Sequence, residues 1–218
     1  MNQRSIVLPT AVAATAVSCV EQIAAAYADF PWEEPGVYAN WTAQTYYYVR
    51  HATRLLSLAA ARCSVSDEEL HRVFLKGIRE EQGHEALAMN DLKQLGYTPA
   101  DFAELPEAST YYQSLYYAIE HDGPAALLGY FLALEGLAAL KMENALRRVQ
   151  AAYTDQAAGF FRIHCQLDVD HFDEGLRNLE MLDSDKLAAV EKNLTLSTAL
   201  YIRLVDRIKQ PRRPTPNE

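Results

Sequence analysis

The segment FFRIHCQLDVDHFDEGLRNLE, residues 160–180, carries two histidines and an aspartate at spacings that suit metal binding. His164, Asp168 and His171 stand at i, i+4 and i+7, and no proline or glycine occurs before Gly175. On a helix these three side chains share one face, so two imidazoles and a carboxylate project into the same space. Such donors suit a divalent transition metal such as iron, manganese or zinc. The alternative is a polar helix face with two solvated histidines.

A second candidate pair lies in the stretch IREEQGHEALAMNDL. Glu81 and His84 are three residues apart and are neighbours on one face of the helix predicted there. A Glu-x-x-His pair on a bundle helix presents two metal ligands to the core, although acid-rich helices also produce this pattern by chance. The flanking Glu80 and Glu85 are interpreted as solvated groups or as outer partners of the ligands.

A third candidate is Glu135, the only charged residue in AALLGYFLALEGLAAL, residues 125–140. An isolated carboxylate among apolar side chains is costly to bury unless it is paired or bound to a cation. The alternative is a protonated or hydrogen-bonded core glutamate.

Together the three segments supply three carboxylates and three imidazoles: Glu81, His84, Glu135, His164, Asp168 and His171. This set suffices for two adjacent metal ions, one bound by Glu-His-His and one by Glu-Asp-His, with positions left open for dioxygen and substrate. Because the set contains no thiolate, it favours iron or manganese, with zinc as an alternative.

The elements that position these residues are helices. Hydrophobic periodicity predicts about seven helices and no strand, so the fold class is all-α, a compact helical bundle. Ser66 with Glu69 has the form of a capping box at the start of the third helix, and Gly96 ends that helix. The tail at 211–218 is predicted to fray. The predicted helices cover residues 9–28, 39–63, 66–95, 109–121, 124–153, 154–182 and 184–210.

Composition and net charge limit the kinds of protein and the kinds of partner that this sequence allows. The 218 residues are 50% hydrophobic, with mean hydropathy -0.18, which predicts a single soluble domain over 1–218. The net charge of -9 disfavours nucleic acid and anionic membrane surfaces as partners. The apolar run at 7–20 fits an amphipathic helix better than a signal peptide, and it is too short for a membrane span. Scattered cysteines without a CxxC pair favour a reducing, cytoplasmic compartment: Cys19, Cys63 and Cys165.

The elements REEQGHE, ALEGL and HCQLDVDH, in this order, resemble the heme-oxygenase-like diiron oxidases and oxygenases. That superfamily shares its fold with heme oxygenase, the TenA thiaminases and the pyrroloquinoline-quinone synthase PqqC, and it includes the chlamydial protein associating with death domains. The resemblance covers nearly the whole chain. Its most specific part is the His-x-x-x-Asp-x-x-His spacing of His164, Asp168 and His171.

The resemblance implies an iron-dependent redox enzyme with a heme-oxygenase-like fold. It implies two iron ions, or manganese or zinc in their place, and dioxygen as co-substrate. The implied substrate is a small molecule similar to an amino acid, a fatty acid or an aromatic acid. The implied reactions are N-oxygenation, desaturation or C–C cleavage, often in natural-product biosynthesis. Proteins of this fold often form homodimers.

The sequence departs from the family pattern on the second helix, where several members carry a further carboxylate. Gln44, Tyr48 and His51 form an i, i+4, i+7 stripe there, which we expect to face the site as substrate-facing or catalytic residues. The alternative for His51 is an ordinary partly buried histidine. The many tyrosines are interpreted as core aromatics, or by analogy as partners of the metal centre. Cys165 is expected to be a small core residue that points away from the metal face.

The sequence also allows other functions on the same fold. A thiaminase-like hydrolase needs a pocket cysteine, and neither Cys63 nor Cys165 clearly offers one. A heme oxygenase needs a proximal histidine near the N-terminus, and none precedes His51. A non-enzymatic helical adaptor is supported only by net acidity and by the tyrosines.

Overall fold

A computed structural model describes residues 11–210 and contains ten α-helices, five short 3-10 segments and no strand within that range. The predicted all-α class is therefore confirmed. The predicted helix start at 9–10 and the tail at 211–218 lie outside the described residues. The helices are α1 (Ala11–Ala26), α2 (Pro35–Val49), α3 (Ala52–Arg62), α4 (Glu68–Glu81), α5 (His84–Gln94), α6 (Pro106–His121), α7 (Leu127–Lys141), α8 (Glu143–Ala152), α9 (Gly159–Asn178) and α10 (Ser184–Lys209).

Three of the seven predicted helices are each divided into two. The helix predicted over 39–63 turns at Arg50 and His51, where the His51 amide bonds to the carbonyl of Tyr48 at 3.0 Å instead of continuing the α-helical ladder. The helix predicted over 66–95 breaks at Gly83, whose φ is +95°. The helix predicted over 124–153 breaks at Met142. Periodicity missed these breaks because the hydrophobic pattern continues across each of them.

The ends of α4 and α5 differ in how well the sequence predicted them. Gly96 ends α5 as predicted, with φ at +82°, and the Tyr97 amide bonds back to the carbonyl of Leu92 at 2.9 Å, which is a Schellman motif. The capping box predicted at Ser66 and Glu69 is wrong. The chain makes a 3-10 turn there, and α4 begins directly after it without a side-chain cap.

The central helix is α7, which is apolar on all sides and packs against α1, α9 and α10. A side-chain carbon added at Gly136 would lie 2.7 Å from Phe172 of α9 and 2.7 Å from Val20 of α1. Glycine therefore allows α9 to lie close against the helix that carries Glu135. The segment Pro124–Lys141 is long and apolar enough to cross a membrane, but 56% of it is buried inside the fold, as in a core helix.

Candidate metal centre

Glu81 and His84 lie on either side of a chain reversal. Glu81 is the last residue of α4 and His84 is the first residue of α5, so the prediction that both share one helix is wrong. Gly83 between them has a left-handed backbone conformation, which glycine adopts without steric cost. The reversal still brings the pair together, because Glu81 Oε2 lies 3.2 Å from His84 Nδ1.

His164 of α9 completes a group with this pair. Its Nδ1 donates to the carbonyl oxygen of Phe160 at 2.7 Å, which leaves Nε2 with a free lone pair for a ligand. The ring stacks on Phe160 at 4.0 Å and meets the ring of His84 edge-on at 4.7 Å. One donor atom from each of Glu81, His84 and His164 lies within 4.8 Å of the other two. We call these three residues the first trio.

Glu135, Asp168 and His171, the second trio, are less tightly gathered. Asp168 Oδ1 lies 3.3 Å from His171 Nδ1. Glu135 makes no hydrogen bond or ion pair with any described residue, and its Oε2 lies 3.8 Å from the position of a side-chain carbon added at Gly175. Within residues 11–210 no second set of three donor atoms lies as close together as the first trio.

The charges of the two trios act on one another. Burial, together with Asp168 and Glu81, raises the pKa of Glu135 well above its usual value. Burial also raises the pKa of Asp168, although His171 opposes the shift. Burial opposes ionisation of Glu81, but His84 and the other two histidines outweigh it and lower the pKa of that carboxyl. The contact with Asp168 raises the pKa of His171 to about 9 against the effect of burial.

The donor set fits a divalent metal ion. His84 Nδ1 is buried and makes no hydrogen bond within the described residues, although Glu81 Oε2 is only 3.2 Å away. A buried polar atom of this kind in a native protein calls for an explanation such as an ion. Carboxylates with imidazoles, and no thiolate ligand, suit iron and manganese.

Two cavities meet at this cluster and share Glu81, Phe131 and Glu135 as a common wall. The first, of about 60 Å³, which we call the charged cavity, is lined on its other sides by Lys76, Glu80, His171, Glu174 and Asn178 together with apolar residues. The second, of about 80 Å³, which we call the apolar cavity, is lined mainly by aromatic and aliphatic side chains, among them Trp41, Tyr130, Leu137, Phe160 and Phe161.

Glu80 lies at the edge of the centre, in the charged cavity. Its Oε1 lies 4.0 Å from His171 Nε2 and 3.2 Å from the ammonium of Lys76. Lys76 also pairs with Glu174 of α9. The interpretation of Glu80 as a solvated or outer group is compatible with this position, because 34% of its side chain is exposed.

The predicted stripe of Gln44, Tyr48 and His51 is wrong for two of its members. Gln44 is buried and hydrogen-bonds the backbone at 103–105. His51 follows the end of α2 and stacks on Tyr112 at 3.8 Å. The turn between α2 and α3 moves it out of the helical register on which the prediction depended. Only Tyr48 lines the apolar cavity.

Cys165 also lies elsewhere than predicted. It lines the apolar cavity together with His164 and Asp168 instead of pointing away from them. Burial, with a smaller effect of Asp168, raises the pKa of its thiol to about 12. Tyr130 and Tyr201, which the sequence did not single out, line the same cavity and are buried.

Asp91 positions the start of α9 and was missed by sequence reasoning. This α5 residue is 1% exposed, and its carboxylate accepts the backbone amides of Gly159 at 3.0 Å and Phe160 at 2.8 Å. It thus caps the helix that carries His164 from the helix that begins at His84. Because cap and helix are 68 residues apart, no local pattern could reveal the pair.

Residues 39–193 match a family described as iron-containing redox enzymes. The chain belongs to this iron-containing redox enzyme family. The matched region covers more than two thirds of the chain and contains all six candidate ligands. A comparison with curated proteins found no match.

Solved structures similar to this family member have a heme-oxygenase-like fold. A domain of unknown function with that fold from Shewanella denitrificans OS217 has a TM-score of 0.78, with 21% identity over 88% of each chain. A TenA homologue from Pseudomonas syringae pv. tomato DC3000 has a TM-score of 0.74, with 14% identity over 91% of this chain and 92% of the other. A TenA homologue from Pyrococcus furiosus has a TM-score of 0.68, with 13% identity over 90% and 99%. At these identities the similarity shows the fold alone, and it agrees with the expected heme-oxygenase-like bundle.

Proposed function

We propose that the chain is an O2-dependent non-heme diiron oxidase or oxygenase that acts on a small molecule. The observation that carries the proposal is the convergence of Glu81, His84 and His164 from three helices, with a buried His84 Nδ1 that no hydrogen bond satisfies. Membership of an iron-containing redox enzyme family supports the choice of iron over manganese or zinc.

The first trio would hold one ion and the second trio the other: Glu81, His84 and His164, then Glu135, Asp168 and His171. When bound, the iron pair supplies the electrons that reduce dioxygen and the oxidising power that acts on the substrate. The protein contributes ligand orientation and a protected cavity.

The chain's own residues orient the ligands and exclude water. The hydrogen bond from His164 Nδ1 to Phe160 fixes the imidazole tautomer. Aromatic side chains of the apolar cavity keep bulk water from the shared wall. Burial raises the pKa values of Tyr48 and Tyr130 well above 10, so both phenols keep their protons and face the cavity as neutral groups.

The reaction type belongs to the same proposal. N-oxygenation, desaturation and C–C cleavage of an amino acid, a fatty acid or an aromatic acid all fit a dioxygen-activating pair. A homodimer and a cytoplasmic location stay predictions, and sedimentation velocity would test the former.

Two observations favour a second candidate, a thiaminase-like hydrolase. Cys165 lines the apolar cavity, and two of the similar structures are TenA homologues. However, Cys165 has no hydrogen-bonded base among the described residues, whereas nucleophilic cysteines need one or a lowered pKa. The six metal-ligand side chains would also have no role in a hydrolase.

Oxygen consumption tests the proposal. We expect protein loaded anaerobically with Fe(II) to consume O2 faster than free Fe(II), and faster still with a suitable amino, fatty or aromatic acid. The Glu81→Ala variant should behave as free Fe(II). If wild type and Glu81→Ala consume oxygen equally with every acid, the oxidase proposal fails. Thiamine hydrolysis by metal-free wild type, lost in Cys165→Ser, would establish the second candidate instead.

A further inference from the structure

We infer that a third cavity, at the junction of α7 and α8, binds the carboxylate of an elongated organic acid whose apolar part reaches into the apolar cavity. This outer cavity, of about 160 Å³, lies between the end of α1, the segment 27–32 and the start of α8. Only the identification of the acid as a substrate rests on the proposed function. For a substrate, this position puts the carboxylate away from the candidate ligands and a chain carbon next to them.

The lining of the outer cavity offers two cations. Among the described residues, Lys141 and Arg148 are its only charged side chains, and Asn144 adds an amide. Each cation also has an acidic partner outside the lining. Glu21 Oε1 lies 2.5 Å from Lys141 Nζ, and Glu33 accepts from Nε and Nη2 of Arg148 at 2.6 Å. Two ammonium hydrogens of Lys141 and Nη1 of Arg148 make no hydrogen bond within residues 11–210, so both groups can still donate to a carboxylate.

Met142 separates the outer cavity from the apolar cavity and lines both of them. It stands at the break between α7 and α8. Methionine is unbranched and has three rotatable bonds, so a ligand can displace its side chain and occupy both cavities. The floor is also continuous, because Trp32 of the outer cavity and Trp41 of the apolar cavity meet edge-on with their ring centroids 5.4 Å apart.

Helix α7 sets the distance that the ligand spans. Glu135 and Met142 both line the apolar cavity and are seven residues apart, which is about two turns, or about 10 Å, along the helix. A carboxylate bound at Lys141 therefore lies about two turns from Glu135. The far end of an extended alkyl chain such as that of octanoate covers this distance, so the ligand is an acid with a chain of medium length.

Octanoate, with octanol as its uncharged match, tests this site in the full-length protein. Trp32 and Trp41 are the only tryptophans of the chain, and their fluorescence reports binding with and without Mn(II). We expect octanoate to bind about tenfold more tightly than octanol, as for one charge-assisted hydrogen bond, and to do so without Mn(II). The inference is overturned if octanol binds as tightly or if neither ligand binds. It is also overturned if octanoate binds only with Mn(II), because the ions would then hold the carboxylate.

Two substitutions that break the same ion pair should change octanoate binding in opposite directions. Arg148→Met removes the guanidinium and should lower the affinity about tenfold, whereas Glu33→Gln frees the guanidinium and should raise the affinity severalfold. The matched control is Arg147→Met, because Arg147 pairs with Glu143 outside the cavity lining, and it should leave the affinity unchanged. Equal losses in Arg148→Met and Glu33→Gln would show that the ion pair is only structural and would contradict the inference.

Methionine NMR shows whether the bound acid passes Met142. In full-length protein labelled with carbon-13 at the methionine methyl groups, octanoate should shift the Met142 signal and give nuclear Overhauser effects between its methylene groups and that methyl. Met142→Leu assigns the signal, and the exposed Met89 is the internal reference. A Met142 signal that saturating octanoate leaves unchanged contradicts the inference. Since these measurements require neither iron nor oxygen, their failure and the failure of the oxidase proposal are separate results.

Discussion

The two trios of candidate ligands both draw on α9 but differ in how firmly they are held. In the first trio, Gly83 sets the angle between Glu81 and His84, and a backbone carbonyl fixes His164. In the second, Asp168 and His171 contact each other, but no described residue fixes Glu135. The turn at Gly83 and the carbonyl of Phe160 thus preorganise the first trio, whereas the second trio has no such backbone support for Glu135. We therefore expect the first trio to bind its ion more tightly than the second.

The largest expected effects separate the two halves by deleting one ligand from each. His164→Ala should lower the affinity for the tighter ion by more than the roughly 10–100-fold typical of outer partners of a metal ligand. Asp168→Ala should leave that ion bound and lose the weaker one. Anaerobic metal titration with far-UV circular dichroism checks both, and His51→Ala is the matched control because His51 lies away from the centre. Equal losses in both variants would contradict the comparison.

Glu135→Gln should lower the affinity of the second trio for its ion about 10–100-fold and leave the affinity of the first trio unchanged. In the metal-free protein the raised pKa favours the protonated carboxyl, which glutamine mimics. A raised pKa in the native state means that the free energy of unfolding of wild type falls as the pH rises above the pKa that this carboxyl has in the unfolded chain. The metal-free variant should therefore be at least as stable as wild type at neutral pH. Urea unfolding measures this stability. A variant that binds two ions normally but unfolds more easily would show that Glu135 is structural.

Asp91 tests the contribution of the carboxylate that caps the start of α9. Burial raises its pKa to about 6 despite the amides of Phe160 and Gly159, so the native state binds more protons than the unfolded chain between about pH 4 and 6. The stability of wild type relative to Asp91→Asn should fall by about 2 kcal/mol from pH 4.5 to pH 7 and stay level above that. Urea unfolding of both metal-free proteins at several pH values measures the difference. If the stability of wild type relative to Asp91→Asn instead increases with pH, the carboxyl of Asp91 does not have a raised pKa in the native state.

The smallest effect comes from the turn between Glu81 and His84. Gly83→Ala and Gly96→Ala both place alanine at positive φ with nothing within 4 Å of the new carbon, so each should cost about 1–2 kcal/mol of stability. Only Gly83→Ala should lower the affinity of the first trio for its ion, by up to about tenfold, because ion binding requires the turn that alanine strains. If Gly96→Ala weakens the ion as much, the turn has no special role in the first trio.

The helical face of α9 and the isolation of Glu135 could be predicted from the sequence because both depend on local spacing. The break at Gly83 had a local signal, the glycine itself, but the Glu-x-x-His pattern obscured it. The turn at His51 and the cap from Asp91 had none, because contacts with distant residues determine them. The position of Cys165 on a cavity likewise depends on how α7 and α9 pack, which periodicity does not specify.

The two trios are expected to form two ion sites of unequal affinity, with the tighter site at the first trio and the weaker site at the second. Native mass spectrometry of the full chain during anaerobic Fe(II) titration measures this difference most directly. The account predicts a one-ion species first and a two-ion species at higher Fe(II), with His164→Ala abolishing the first step and Asp168→Ala only the second. A wild-type chain that never binds more than one ion, or a His164→Ala chain that binds two as wild type does, would contradict it.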